Sequence, residues 1–462
     1  MDGYLAVDIG ASSGRHIFGW MENGRLRIKE MYRFKNKMKH EGNALVWDVE
    51  LLFEEVLNGI RACKEQNKIP KTLAIDTWAV DYVLLDEENH PILPVYAYRD
   101  MRTRGISETT EKHIPADELY HRTGIQKQNF NTIYQLYCDR CAGRLEKAAH
   151  FLMIPEYLSY RLTGKFAKEY TNATTTGLVS INSCEWNTQT IDALSLPRRL
   201  FDPLKMPGYS LGSFSNEVKS KVGMDCSVVF CPSHDTASAV ASCPLEENAL
   251  YLSSGTWSLI GTETAKCIVN KQAQMKNYTN EGGIDFRYRF LKNIMGMWLF
   301  QNIKQDLHDA YSYNALMRMA QSSHVIRYFD VNSSELTAPE DMISVIRKKL
   351  GEPDLPLSDL LNCVYHSLAA AYGQSVRELE EITGRKFDRI HIIGGGSQDS
   401  YLNQLVCRYT KKRVFAGPVE ATAIGNLMSQ IMTDCLLSLQ QARDIVFRSF
   451  KIEEVKEDDE RI

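Results

Sequence analysis

The residues with the clearest chemical use sit in short runs of tiny side chains. Asp8 closes the apolar run Tyr4–Ile9, and Gly10-Ala11-Ser12-Ser13-Gly14 and Arg15 follow at once. Backbone N–H groups of such a turn can converge on one anion, and only small side chains let a phosphate approach that closely. A carboxylate at the strand end can hold a magnesium ion, directly or through water. Ser253-Ser254-Gly255-Thr256 repeats the pattern after an apolar run in the second half of the chain, and Gly394-Gly395-Gly396 follows Arg389–Ile393. Singly, each is an ordinary turn. Together, two matching hairpins and a triple glycine suit a polyphosphate gripped from both sides.

A proton acceptor is available in Ser233-His234-Asp235-Thr236-Ala237-Ser238-Ala239. An alcohol attacks phosphorus poorly until its proton is accepted, and an Asp oriented at a helix start can accept it. Taken alone, the motif reads first as a helix cap. In the chemical reading, His234 and Thr236 hold sugar hydroxyls. Asp76-Thr77-Trp78-Ala79-Val80-Asp81 joins two apolar strands, and Trp78 offers a flat face to a sugar or to the core. Asn293 and Gln301 lie on the apolar, helix-like segment Lys292–Gln301, at the surface or lining a cleft.

Rival motifs fit poorly. There is no GxxxxGK[ST], and counting from Gly394 the last position of a GxGxxG holds Asp399. Gly10–Gly14 matches the GxSxG nucleophile elbow, but a strand follows it where that motif needs a helix. Cys138-Asp139-Arg140-Cys141 is a lone CxxC without a second pair.

The elements that must position these residues alternate. Strands are expected at Tyr4–Ile9, Arg15–Trp20, Leu73–Asp76, Tyr82–Asp86, Asn248–Leu252, Trp257–Gly261 and Arg389–Ile393. Helices are expected at Phe151–Leu162, Leu360–Thr383 (closed by Gly384) and Tyr401–Tyr409. This is an α/β pattern, and the two hairpins suggest an internal duplication. A chain of 462 residues is long enough for two large domains. The boundary is placed near Ser242–Asn248, giving domains 1–243 and 244–462. The net charge of −4, without a basic block, argues against nucleic acid as partner. No apolar run reaches membrane-spanning length. No secretory signal is visible, and eleven scattered cysteines fit a reducing cytoplasm. The acidic stretch Glu453–Glu460 reads as a solvated tail.

In their order these segments resemble the FGGY family of carbohydrate kinases. The resemblance rests on Ala6–Arg15, Ile75–Asp81, Tyr170–Thr176, Ser233–Val240, Tyr251–Leu259, Thr279–Gly283, Lys292–Gly296 and Ala416–Ala421. It implies an α/β protein of two ribonuclease-H-like domains, of the actin–hexokinase–Hsp70 ATPase class, flanking a deep cleft. It implies ATP with Mg2+, with Ala11, Ser12, Ser13, Gly14, Arg15 and Thr256 on the phosphates and Gln301, Gly394, Gly395 and Gly396 facing the nucleotide. It implies that His234, Asp235, Thr236 and Asn293 hold the sugar, with Asp235 as proton acceptor. Within the family the stretches are similar to the branch that phosphorylates L-rhamnulose; L-fuculose, L-xylulose and a non-catalytic sugar sensor are the alternatives. That branch usually has Gly where this chain has Ala79, a position expected to touch substrate.

Overall fold

Six buried residues, Tyr4–Ile9, form β1, the central strand of the first sheet in a computed structural model that describes residues 3–337 and 339–456. The sheet adds β2 (Ser13–Glu22), β3 (Arg25–Lys35), β4 (Thr72–Thr77), β5 (Ser210–Ser213) and β6 (Ser227–Val229), in the order β5-β6-β4-β1-β2-β3. β1, β2 and β3 are antiparallel to one another in turn, whereas β4 runs parallel to both β1 and β6. β1 and β4 are buried along nearly their whole length, as the continuous apolar pattern of a parallel, two-face-covered strand demands. The helix Val49–Glu65 turns Leu52, Phe53, Val56, Leu57 and Ile60 into the core under this sheet, and its Asp48 cap accepts from Leu51 N at 2.9 Å.

By contacts the chain forms two units. The first holds the residues up to Ser242 together with Thr264–Phe290 and Thr422–Ser449; the second holds Cys243–Glu263, Leu291–Ala421 and the residues from Phe450. The late segment of the first unit is tied to its sheet by buried amides. Gln430 Nε2 donates to Leu5 O at 3.1 Å, and Asn426 Nδ2 donates to Ala74 O at 3.1 Å. In the same helix, Ala421–Cys435, Gly425 lies against the helix Asp235–Ser242; a Cβ there would stand 1.7 Å from Ser238 O. Both partners are backbone, so nothing can rotate away. We expect Gly425→Ala to cost about 1–3 kcal/mol, read as a lower midpoint in urea unfolding.

In the second unit β7 (Ala249–Ser254) pairs antiparallel with β8 (Trp257–Thr264) and parallel with β9 (Arg389–Ile393). β9 pairs in turn with β10 (Arg413–Ala416), which pairs antiparallel with β11 (Glu453–Glu454). A hairpin followed by parallel neighbours therefore occurs in both units, the duplication that the two small-residue turns suggest. The helix Leu357–Thr383 ends on Gly384 in the left-handed conformation, φ 66°. Of the acidic tail, Glu453 and Glu454 are exposed, and residues from 457 on lie outside those described.

Two expected elements differ. Phe151–Leu162 is not one helix: His150–Met153 is a strand, and the helix is Ile154–Thr163, with Pro155 in its first turn where a missing N–H costs nothing. Lys292–Gln301 is not one helix either. Tyr288–Met295 is a strand and Trp298–Asp306 a helix, with the break at Gly296. A Cβ at Gly296 would stand 2.8 Å from Gly255 O and Ser258 N, so backbone contact with the second hairpin interrupts the helical periodicity.

Candidate active site

The register of the first sheet sets three charged side chains side by side. Asp8 is paired with Arg15 across the β1–β2 hairpin and with Asp76 across the parallel β1–β4 ladder. Residues directly opposite one another project from the same face. Arg15 Nε donates to Asp8 Oδ2 at 3.0 Å. Asp76 is fully buried; its Oδ2 accepts from Asn426 Nδ2 at 2.5 Å, and its Oδ1 has no partner among the described residues. Burial, then the charge of Asp8, drives the Asp76 carboxyl well above the usual carboxylate range; Asn426 opposes this and the charge of Asp235 adds to it.

The turn between β1 and β2 is braced from below. Gly10 N donates to Ser13 O at 2.9 Å, while Asn36 donates from N to Ser12 O at 3.0 Å and from Nδ2 to Gly10 O at 2.9 Å. Ser12 is exposed at the tip, Ala11, Ser13 and Arg15 are half-buried, and Gly14 is buried against the Phe34 ring.

Asp235 opens its helix one residue after His234, and Thr77 ties this segment to β4: Thr77 N donates to Ser233 O at 2.9 Å, and Thr77 bridges His234. The Asp235 carboxylate accepts from Thr236 N at 2.5 Å and Thr236 Oγ1 at 3.1 Å. Burial raises its pKa above the ordinary carboxylate range; His234 opposes the rise and the charge of Asp8 adds to it. A carboxylate so placed is a stronger base than one in water. The segment before it hangs on Glu169, a buried carboxylate that takes Ser233 Oγ at 2.5 Å, Ser233 N at 3.2 Å, Thr171 Oγ1 at 2.7 Å, Thr171 N at 2.8 Å and Asn172 N at 3.0 Å. Behind His234 stand two charged residues. Arg289 Nη2 lies 3.1 Å from His234 Nδ1 and 3.1 Å from Glu281 Oε2, while His234 Nε2 lies 3.4 Å from Asp235 Oδ1.

The Asp76–Asp81 loop carries Ala79, half-buried, and holds the next residue under strain. Val80 has φ 68°, a region that β-branched residues rarely adopt. Its carbonyl is gripped by Thr132 Oγ1 at 2.7 Å and Gln135 Nε2 at 3.2 Å. Asp81, fully buried, accepts from Trp47 Nε1 at 2.6 Å, Trp78 Nε1 at 2.9 Å, Tyr98 N at 3.0 Å and Gln135 Nε2 at 3.1 Å. Trp47 and Trp78 pack at 4.2 Å between ring centres. The strain sits next to Ala79, and four donors on one carboxylate hold it there.

In the second unit the other predicted residues also gather. Gly255 N donates to Trp257 O at 3.0 Å, repeating the Gly10–Ser13 closure. Trp298 N donates to Thr256 O at 3.1 Å, and Gln301 Nε2 lies 3.4 Å from Thr256 Oγ1. Gly394 has φ 85°, and a Cβ at Gly396 would stand 2.0 Å from Ser254 Oγ, so the triple glycine abuts the hairpin that holds Thr256. Asn293 stands on a strand with a buried Oδ1 lacking a partner among the described residues.

The first unit thus holds a raised-pKa carboxylate among hydrogen-bonding side chains together with one backbone-rich turn, and the second holds backbone-rich turns. Among the described residues no group of three or more His, Cys, Asp or Glu side chains forms a metal cage. The donor set fits a hard cation held by one carboxylate and completed by phosphate oxygens and water. Sequence reasoning gave no role to Asp76, Glu169, Glu281 or Arg289. Arg289 had a faint signal, a charge at a buried position of the strand Tyr288–Met295.

The chain matches the models of the FGGY family of carbohydrate kinases, the N-terminal domain over residues 3–242 and the C-terminal domain over residues 250–433. It is 43% identical to a rhamnulokinase of Oceanobacillus iheyensis over 97% of both chains. It is 39% identical to a rhamnulokinase of Bacillus subtilis, over 97% of this chain and 94% of that one. Among solved structures, gluconate kinase from Lactobacillus acidophilus superposes with TM-score 0.79 at 16% identity, covering 98% of this chain and 93% of its own. Plasmodium falciparum glycerol kinase with ADP superposes with TM-score 0.77 at 15% identity, covering 99% and 95%.

Proposed function

This chain belongs to the FGGY family of carbohydrate kinases, and from that premise we propose that it phosphorylates L-rhamnulose with ATP, giving L-rhamnulose 1-phosphate and ADP in L-rhamnose catabolism. The observation that carries the substrate is 43% identity to a rhamnulokinase along 97% of both chains.

Asp235 is the general base. Its carboxylate accepts the proton of the C1 hydroxyl as that oxygen bonds to the γ-phosphorus, and the bond from phosphorus to the β–γ bridging oxygen breaks, releasing ADP. Its support is the half-buried helix-start position and the upward pKa shift. His234, Thr236, Asn293 and Ala79 hold the sugar. Ala11, Ser12, Ser13, Gly14, Arg15 and Thr256 take the phosphates through the small-residue turns, and Gln301 and Gly394–Gly396 face the nucleotide. Asp8 would hold Mg2+, which when bound neutralises phosphate charge. The sugar and base function is assigned to the domain of residues 1–243, with Thr264–Phe290 and Thr422–Ser449 packed into the same unit, and the nucleotide function to the rest of residues 244–462. The reaction belongs to the cytoplasm, where the eleven cysteines would stay reduced.

Ala79 favours a second reading, a related ketose such as L-fuculose or L-xylulose, because a methyl replaces a hydrogen beside the sugar. The test is ADP release with ATP and magnesium across L-rhamnulose, L-fuculose, L-xylulose, D-xylulose, L-ribulose and glycerol. L-rhamnulose is expected to give the highest kcat/KM. A higher value for another ketose would replace the substrate and keep the mechanism; ATP binding without turnover on any sugar would sink the kinase reading.

A further inference from the structure

Among the described residues Arg289 is the largest fully buried side chain, and the chemistry proposed above leaves it without a role. A guanidinium has five N–H donors and no acceptor. Its Nη2 lies 3.1 Å from His234 Nδ1, and because a guanidinium only donates, a hydrogen bond in this contact requires Nδ1 to be the acceptor, without a proton. Nη2 also faces Glu281 Oε2 at 3.1 Å, and Nε donates to Gly282 O at 3.2 Å. The guanidinium is therefore fixed by a carboxylate and a carbonyl, its Nη2 also reaches the imidazole, and its buried Nη1 has no partner among the described residues. A histidine's second nitrogen is set by the hydrogen bond its first one makes. With Nδ1 occupied as acceptor, the ring proton stands on Nε2, the nitrogen 3.4 Å from Asp235 Oδ1.

We infer that Arg289 is a positioning residue, which locks His234 in the tautomer that presents Nε2–H beside the Asp235 carboxylate and so fixes a donor–acceptor pair for one sugar hydroxyl. The inference rests on the sugar-kinase reading of this site. A hydroxyl between these groups donates its proton to Asp235 and accepts from His234. In the other tautomer an Nε2 lone pair would face the carboxylate. Two acceptors would then confront each other, Asp235 would lose its neighbouring donor, and the sugar oxygen would have nothing to accept from. Glu281 Oε2 lies 3.4 Å from Nδ1, so that tautomer has a ready acceptor if the guanidinium is removed. Selection between the two is thus assigned to Arg289, and a site built on a fixed donor–acceptor pair discriminates strongly against a sugar lacking that hydroxyl.

The experiment has two readouts. Long-range 15N–1H correlation spectra of the full chain labelled at histidine nitrogen, with His234→Gln to assign the signal, report the tautomer without turnover. The wild type is expected to carry its proton on Nε2. In Arg289→Met the proton is expected to move toward Nδ1, with kcat/KM for L-rhamnulose down about tenfold to a hundredfold, the range for losing a group that orients a functional histidine. KM for ATP should not change, and Arg289→Lys, which keeps a cationic donor, should recover most of the loss. Because Arg289→Met strands a buried Glu281, the Arg289→Met/Glu281→Gln pair is measured beside it and is expected to show the same kinetic loss. A wild-type proton on Nδ1 overturns the inference. So does an unchanged kcat/KM in both folded variants. If the wild type phosphorylates no ketose, the sugar reading falls separately, and the wild-type tautomer still decides the Arg289 contact.

Discussion

Asp235→Asn is expected to fold as the wild type does and to lose about 10²–10⁴-fold in kcat. The amide has the shape of the carboxylate and keeps an oxygen for Thr236 N and Thr236 Oγ1. It cannot take the hydroxyl proton. Stability should hold or rise slightly, because burial and the charge of Asp8 already disfavour the ionised form at this position, and Asn removes that cost. KM for the sugar should move much less than kcat, since the lost interaction develops as the proton transfers. Steady-state kinetics with L-rhamnulose and thermal unfolding of the same preparation separate the two effects. A kcat within about tenfold of wild type would remove Asp235 as base. Asp8 and Asp76, the other acids whose charges act on one another in this unit, would then be the residues to test.

Asp81→Ala is expected to destabilise the first unit by about 4 kcal/mol and to raise KM for the sugar. Four buried donors, the indoles of Trp47 and Trp78, the Gln135 amide and Tyr98 N–H, lose their acceptor together. The strained Val80 loses the frame that Gln135 shares with it. Asp81 also sets a pH signature. Burial pushes its carboxyl up to about 6, although the indole, amide and backbone N–H bonds pull it down. The folded protein therefore binds this proton more tightly than the unfolded chain does. Stability from the group is fully present below the unfolded carboxylate's range, near pH 3.9, and is lost as pH rises through about 6, a change of about 3 kcal/mol. The difference in urea stability between wild type and Asp81→Asn across pH 4–7 isolates it from the other buried acids. A flat difference would show that Asp81 ionises in its ordinary range.

The two small-residue turns were legible because they depend on local chemistry. The runs Gly10–Gly14 and Ser253–Thr256 are each followed by an alternating pattern, and both form hairpin turns between antiparallel strands. The small residues flanking Asp235 marked a helix start, which the structure has. The strand Arg389–Ile393 matches its apolar run. What could not be read is what arrives from a distance. Arg289 and Glu281 reach His234 from some fifty residues away, and Asn426 reaches Asp76 across 350. Apart from the faint signal at Arg289, nothing local distinguishes those side chains from surface polar residues. Lys292–Gln301 misled for a related reason: its apolar spacing fits a helix, but the backbone contact at Gly296 that breaks it comes from another element.

The helix that carries Gly425, Asn426 and Gln430 also sets an order of events during synthesis. Asp235 and the strands that flank it leave the ribosome roughly 190 residues before Asn426, a delay of about 10–40 s at ordinary elongation rates. Through that interval Leu5 O and Ala74 O lack their amide donors, Asp76 lacks Asn426, and the base helix lacks the backbone it packs on. We expect released chains truncated before residue 420 to be cut by protease within the first unit and to turn over no ATP, and chains extending past residue 449 to resist. The half of the chain that carries Asp235 is written first and finished last, so on the proposed function an interrupted translation product spends no nucleotide.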